Sequence, residues 1–136
     1  MTIYTVEISS QWQLRLQEEY QHRIEGDHLI LWKMGISILT SVYSYSGEKE
    51  RQTLLANLRA KAQSKQLQII EEVNENLVRF GYIQPEEVRP GVMRLALHAF
   101  TMAEHSCLQT SIYLDRSEDL ETGLLIWRDL QYLEKA

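Results

Sequence analysis

The chain's only cysteine, Cys107, stands two residues after His105 in the stretch TMAEHSCLQTS. A thiol beside an imidazole is the minimum equipment for nucleophilic catalysis, because the ring can take the thiol proton and leave a thiolate to attack. On a strand the two residues share a face, with Cα atoms about 6.7 Å apart at a rise of about 3.3 Å per residue. Activation needs more than proximity: a cation or helix N-terminus to stabilise the thiolate, and a third group to orient the ring. Asp115 and Glu104 are the available acids, and the residue pattern places neither beside His105. The competing reading makes Cys107 a small apolar side chain packed beside Phe100, with His105 at the surface near a hairpin end. We adopt the second reading and keep a small cysteine-dependent enzyme using Cys107 and His105 as an alternative.

Other constellations are weaker. His22, His28, His98 and His105 form neither an i, i+4 helical pair nor an HExxH arrangement, so no metal ligand is assigned. Glu71 with Glu72, and Glu86 with Glu87, are sequence neighbours that point apart when extended. Glycosidase chemistry needs two carboxyls facing each other across a cleft, and nothing singles out such a pair. No phosphate-cradling glycine loop, GxSxG or nucleotide fingerprint occurs. The sequence therefore implies no catalytic residue, no cofactor and no metal.

Aromatic residues suggest binding instead. Trp12, Trp32 and Trp127 fall in apolar periodic rows and read as core. Tyr43, Tyr45, Phe80 and Tyr82 lie near the ends of expected strands, and tyrosine is favoured at protein interfaces. Beside them runs QPEEVRPG (Gln84 to Gly91), read as a loop because Pro85 and Pro90 lack backbone donors. With Glu86 and Glu87 from that loop, these aromatics form the candidate partner-binding set.

The elements that must position these residues follow from hydrophobic period. From Thr5 to Leu16 the apolar residues fall on alternate positions, Val6, Ile8, then Trp12, Leu14 and Leu16, which predicts one strand with one buried row. Tyr20, His22 and Ile24 continue the alternation, Glu25 to Asp27 supplies a turn, and HLILWKM and ISILTSVYSY complete a meander of strands. Glu48 to Gln66 predicts an amphipathic helix, with Leu54, Leu55, Leu58 and Ala62 on the side that should lie on a sheet. Leu67 to Val73 and Asn76 to Ile83 read as two strands about a polar turn, or as one long bent strand. A hairpin turning at Ala103 and Glu104 puts Met93, Leu95, Leu97, Ala99, Leu108, Ile112 and Leu114 on a core face. Its other face carries Arg94, His98, Phe100, His105, Cys107, Gln109 and Tyr113, exposed or covered by something amphipathic. The final stretch, from Arg116 to Ala136, predicts a helix with Ser117 as N-cap and Leu120, Leu124, Trp127 and Leu130 inward, widened by Ile126 and Leu133.

Composition sets the limits. A chain of 136 residues, 44% hydrophobic and 24% charged, suits one soluble domain with a self-sufficient core. One cysteine closes no internal disulfide and fits a reducing compartment. MTIYTVEISS lacks the basic start and apolar run of a leader, and Leu29 to Leu39 is about half a bilayer span, so neither export nor membrane insertion is expected. A formal charge of −5 disfavours nucleic acid, whose phosphates call for a basic stripe.

The segments WQLRLQEEYQHRIEGDHLILW and SIYLDRSEDLETGLLIWRDL, with their order of strands and helices, resemble the group that joins the Ran-binding Mog protein, the photosystem PsbP subunit and many uncharacterised bacterial proteins. LQEEY stands where many of that group carry a P-x-G-W turn. The resemblance implies a sheet flanked by helices that works by binding other proteins. The expectation is a single α+β domain over residues 1–136: a mostly antiparallel sheet of six to seven strands with two amphipathic helices, ordered ββββ-α-ββββ-α. It is expected to act as a non-enzymatic protein-binding or accessory module of a bacterial-type cytoplasm, of immunity or secretion-associated type, with a protein partner and room for a homodimer. An acidic type III secretion chaperone-like dimer is the other alternative.

Overall fold

A computed structural model describes residues 2–133. The chain runs β1 (Tyr4–Glu7), β2 (Trp12–Leu16), β3 (Gln21–Glu25), β4 (His28–Lys33), β5 (Ile36–Ser44), α1 (Glu48–Ser64), β6 (Gln68–Asn74), β7 (Leu77–Arg89), β8 (Val92–Met102), β9 (Ser106–Leu114), a short 3-10 turn (Ser117–Asp119), α2 (Leu120–Arg128) and β10 (Gln131–Tyr132). This is the expected α+β fold with two helices and antiparallel pairing. The described strands number ten, in two sheets, rather than six or seven in one.

The large sheet has seven strands in the order β3-β4-β5-β9-β8-β7-β6, and the small sheet has three, β1-β2-β10. Two meanders make the large sheet, joined where β5 pairs with β9 from Ile36↔Leu114 to Ser44↔Ser106. The small sheet and α2 pack on one face. There Trp12, Leu14, Leu16, Leu31, Ile38, Leu97, Leu108, Ile112, Leu114 and Trp127 form the main core, all of them at most 1% exposed. Burying each such side chain stabilises the fold by about 1.5–3 kcal/mol. The indoles keep their polar ends satisfied, Trp12 Nε1 donating to Ser106 Oγ at 2.8 Å and Trp127 Nε1 to Thr101 Oγ1 at 3.0 Å.

On the opposite face α1 seals a second cluster of Phe80, Tyr82, Phe100, Met102, Cys107 and Ala62, with Leu54, Leu55 and Leu58 packed against it. The helix forms over nearly the expected residues. Glu50 accepts a bond from the Ser46 amide at 2.7 Å at its start. At its end Gln66 takes a left-handed φ of 55° while the Leu67 amide bonds Ala62 O at 3.0 Å, which stops the helix and begins β6.

Four local expectations are corrected. The Thr5 to Leu16 strand is broken: the amides of Ile8 and Ser9 both bond Trp12 O, at 2.9 and 3.2 Å, and β1 folds back on β2. The Gln84 to Gly91 segment is strand as far as Arg89, because β6 starts at Gln68, opposite Ile83, and β7 beyond Ile83 is a sheet edge, where proline is tolerated. Ser117 is no N-cap; it lies in the 3-10 turn, and α2 starts at Leu120. Finally, α2 stops at Arg128, after which Gln131 and Tyr132 pair with Gln13 and Trp12 of β2. The last three residues of that expected helix lie outside the described residues.

Candidate functional site

The face of the large sheet that carries α1 is only partly covered. Helix α1 seals side chains of β6, the N-terminal half of β7, the C-terminal half of β8 and the start of β9. Beyond it, from His98 and Gln109 across β5 and β4 to β3, the face is open. Leu39 and Tyr43 are exposed, while Ile30, Trp32, Gln109 and Tyr113 are half-buried.

A chain of hydrogen bonds crosses this open face. Alternation along the strands points His98 and Ser111 to the same side, and they sit directly opposite each other in the β8–β9 register. His98 Nε2 contacts the Glu86 carboxylate, and His98 Nδ1 lies 3.0 Å from Ser111 Oγ. Gln109 Nε2 donates to Ser111 Oγ at 3.2 Å, and Tyr43 donates from its hydroxyl to Gln109 Oε1 at 2.9 Å. The direction of donation follows from one fixed point, since an ionised carboxylate can only accept. With a neutral ring, Nε2 carries the proton towards Glu86 and Nδ1 accepts from the Ser111 hydroxyl. Each group in the series from Tyr43 to Glu86 then has its partner.

Beside this network lies a cleft of about 490 Å³ whose walls include Arg23, Ile30, Trp32, Leu39, Val88 and Tyr113. The Arg23 guanidinium stands 5.4 Å above the Trp32 ring. Arg94 is held in place, donating to Ser37 Oγ at 3.0 Å and Tyr113 O at 3.1 Å, with Asp115 2.7 Å from its Nε. Burial, and then the Glu86 carboxylate, raise the Tyr82 and Tyr113 phenols above their ordinary value, so both stay protonated donors.

The residues proposed from sequence scatter across this geometry. Tyr43 is exposed on the open face and Glu86 is bound to His98, so these two belong to the site. Tyr82 is 5% exposed, with its ring centroid 5.2 Å from that of His98, and forms the floor where the open face meets α1. Phe80 is fully buried under α1. Tyr45 ties the end of β5 to the β8–β9 turn by donating to Ala103 O and Ser106 O. Glu87 is exposed, one residue from Glu86 and so on the other face of β7. The sequence reading missed Ser111 and gave no role to His98 or Gln109. The signal available was the two-residue spacing Gln109, Ser111, Tyr113. Trp32, expected in the core, lines the cleft instead.

Cys107 and His105 part company. His105 lies in the turn between β8 and β9 with its side chain 61% exposed, whereas Cys107 is fully buried beneath α1. Desolvation pushes the thiol from an ordinary 9.0 up to about 12, so it carries no thiolate at neutral pH. The Ser111, His98 and Glu86 contacts share the donor–acceptor order of a serine-hydrolase triad. Ser111 is only 7% exposed, however, and the strand amides around it are engaged in ladders rather than aimed at a developing oxyanion. Among the described residues no three of His, Cys, Asp and Glu converge to hold a metal ion, and no helix is long and apolar enough to cross a membrane.

No family model and no curated protein matches this chain. A crystal structure of a protein from Bacteroides thetaiotaomicron is similar in fold, with a TM-score of 0.71 at 9% identity, over 95% of this chain and 48% of that one. This chain thus spans about half the length of that neighbour. At this identity the likeness concerns the fold alone.

Proposed function

We propose that the protein is a non-enzymatic binding module that takes an amphipathic helix of a partner protein on the open part of its large sheet. The observation that carries this reading is the half-covered face: Leu39 and Tyr43 of β5 and Ile30 and Trp32 of β4 continue the apolar surface where α1 no longer reaches, and Arg23 of β3 borders it. Four strands, β9 to β3, at about 4.8 Å spacing give a width of roughly 14–19 Å, enough for one helix about 10–12 Å across. On the neighbouring strands α1 packs through Leu54, Leu55 and Leu58 in the manner the reading asks of the partner. The polar series from Tyr43 to Glu86 would fix register beside the apolar cleft. The resemblance to the Mog and PsbP group points to the same class. An immunity-type or secretion-associated role in a bacterial cytoplasm extends the proposal.

Photoreactive residues placed singly at Leu39 and at Glu87, on opposite faces, test it in the native host. The expected result is a discrete adduct from position 39, with partner residues spaced three or four apart, and none from position 87. Equal labelling from both positions would overturn the reading. The Ser111–His98–Glu86 series also admits a serine-hydrolase reading, which the burial of Ser111 disfavours; ester turnover abolished by Ser111→Ala would put it first.

A further inference from the structure

The large sheet ends on β3, and every residue of that strand, Gln21 to Glu25, is exposed. Its one large apolar side chain, Ile24, is 75% exposed. An uncovered edge of this kind is a template for another strand, and protein edges are ordinarily blunted by lysine, proline, a bulge or a covering segment. Strand β3 has neither lysine nor proline, its two charges, Arg23 and Glu25, are of opposite sign and pair within the strand at 3.1 Å, and its register with β4 runs unbroken from Gln21↔Trp32 to Glu25↔His28.

Its outward backbone groups can be identified. Gly26 and Asp27 form a two-residue turn closed by Glu25 and His28, so that pair exchanges ladder hydrogen bonds. Antiparallel pairs alternate between bonded and non-bonded, which makes Ile24↔Leu29 a non-bonded pair. The N–H and C=O of Ile24 therefore point away from β4, as do those of His22.

We propose that a second copy of this chain pairs with β3 across a two-fold axis at Ile24, joining two large sheets into one. In that register Ile24 exchanges both backbone bonds with its symmetry mate, and the two apolar side chains meet on one face. Arg23 of each copy stands opposite Glu25 of the other, so the charges complement each other twice. Moving the axis by one residue, to Arg23, sets arginine against arginine and opposes pairing. The other edge offers no such complementarity: on β6, Glu71 and Glu72 are already paired within the chain, with Arg59 at 2.6 Å and Arg128 at 2.7 Å, and Glu75 follows in the turn. Five residues a side fall well short of the roughly 800 Å² per partner of a standard interface, so the dimer should be concentration-dependent. The proposal uses the backbone edge of β3 and does not require the helix-binding reading; Arg23 also walls the cleft, whereas Ile24 lies on the other face of the sheet and separates the two.

Sedimentation equilibrium of the purified full chain, run across a concentration series, is the test. Wild-type protein should show a reversible monomer–dimer equilibrium. Ile24→Pro deletes an N–H that β4 does not use and should raise the dimer dissociation constant by about ten-fold or more. Arg23→Glu should do the same, and the double swap Arg23→Glu with Glu25→Arg should restore dimer, a rescue that general loss of folding cannot mimic. Oxidised Ile24→Cys should cross-link, since its symmetry mate stands about 5.5 Å away by Cα; Arg23→Cys should not, at about 8 Å. A strictly monomeric wild type, or a dimer unmoved by Ile24→Pro and Arg23→Glu, would overturn the proposal.

Discussion

The two faces of the large sheet are finished differently. On one, the small sheet and α2 close over a core in which Trp12 and Trp127 reach zero exposure and both indoles find hydroxyl partners. On the other, α1 covers a smaller cluster and leaves Leu39, Tyr43 and the Trp32 cleft without a lid. The first face spends its apolar side chains on folding, and the second leaves part of them exposed, where the proposed function puts recognition. Substitutions should separate the two.

The largest effect belongs to the closed face. Trp127→Ala removes a fully buried ring and leaves Thr101 without its donor; we expect a loss of about 3–5 kcal/mol in denaturant unfolding. Gly81→Ala comes next. Its new Cβ would lie 2.9 Å from Trp127 Cη2 and 3.3 Å from the His98 backbone oxygen, so ring and strand would both have to move, at about 1–3 kcal/mol. If either substitution proves neutral, the contrast between a closed and an open face is wrong at its foundation.

Beneath α1 the prediction concerns pH. In the unfolded chain Cys107 titrates near its ordinary 9.0, and in the native fold near 12. Between those values the unfolded state has lost a proton that the native state keeps, so stability falls as pH rises and is unaffected below the window. Tyr20, raised by burial from 10.0 to about 12, adds to the same slope. Cys107→Ala should flatten the alkaline slope without removing it, as read from unfolding midpoints between about pH 9 and 12. At neutral pH the native thiol should react with a labelling reagent only as fast as the α1 region opens.

Much of this was legible in the sequence, for a physical reason. Period two and period 3.6 report burial on one side, so β4, β5, β8, β9 and α1 could be read from Leu31, Ile38, Leu97, Leu108 and Leu58. What the period cannot report is a turn that preserves it. Val6, Ile8, Trp12, Leu14 and Leu16 keep alternating while the chain reverses between β1 and β2, because Ser9 Oγ accepts from the Gln11 and Trp12 amides, at 3.2 Å each. Leu130 is 2% exposed, as a longer helix would have it, but it precedes a strand. The site was harder still. His98 and Ser111 lie 13 residues apart, and their meeting depends on the β8–β9 register: a turn at Ala103 and Glu104, as expected, would set His98 opposite Gln109, whereas the hairpin turns at Glu104 and His105, with the Ala103 amide bonded to Ser106 O at 2.8 Å.

The smallest predicted effect on stability tests the central claim. Leu39→Asp changes a side chain that is 38% exposed on the open face of the central strand β5 and should lower stability by about 1 kcal/mol. The direct measurement is a binding isotherm of the partner cross-linked at position 39, titrated against wild type and Leu39→Asp. The account predicts an affinity loss of about a hundred-fold with the fold retained. Equal affinity for the two proteins would contradict it.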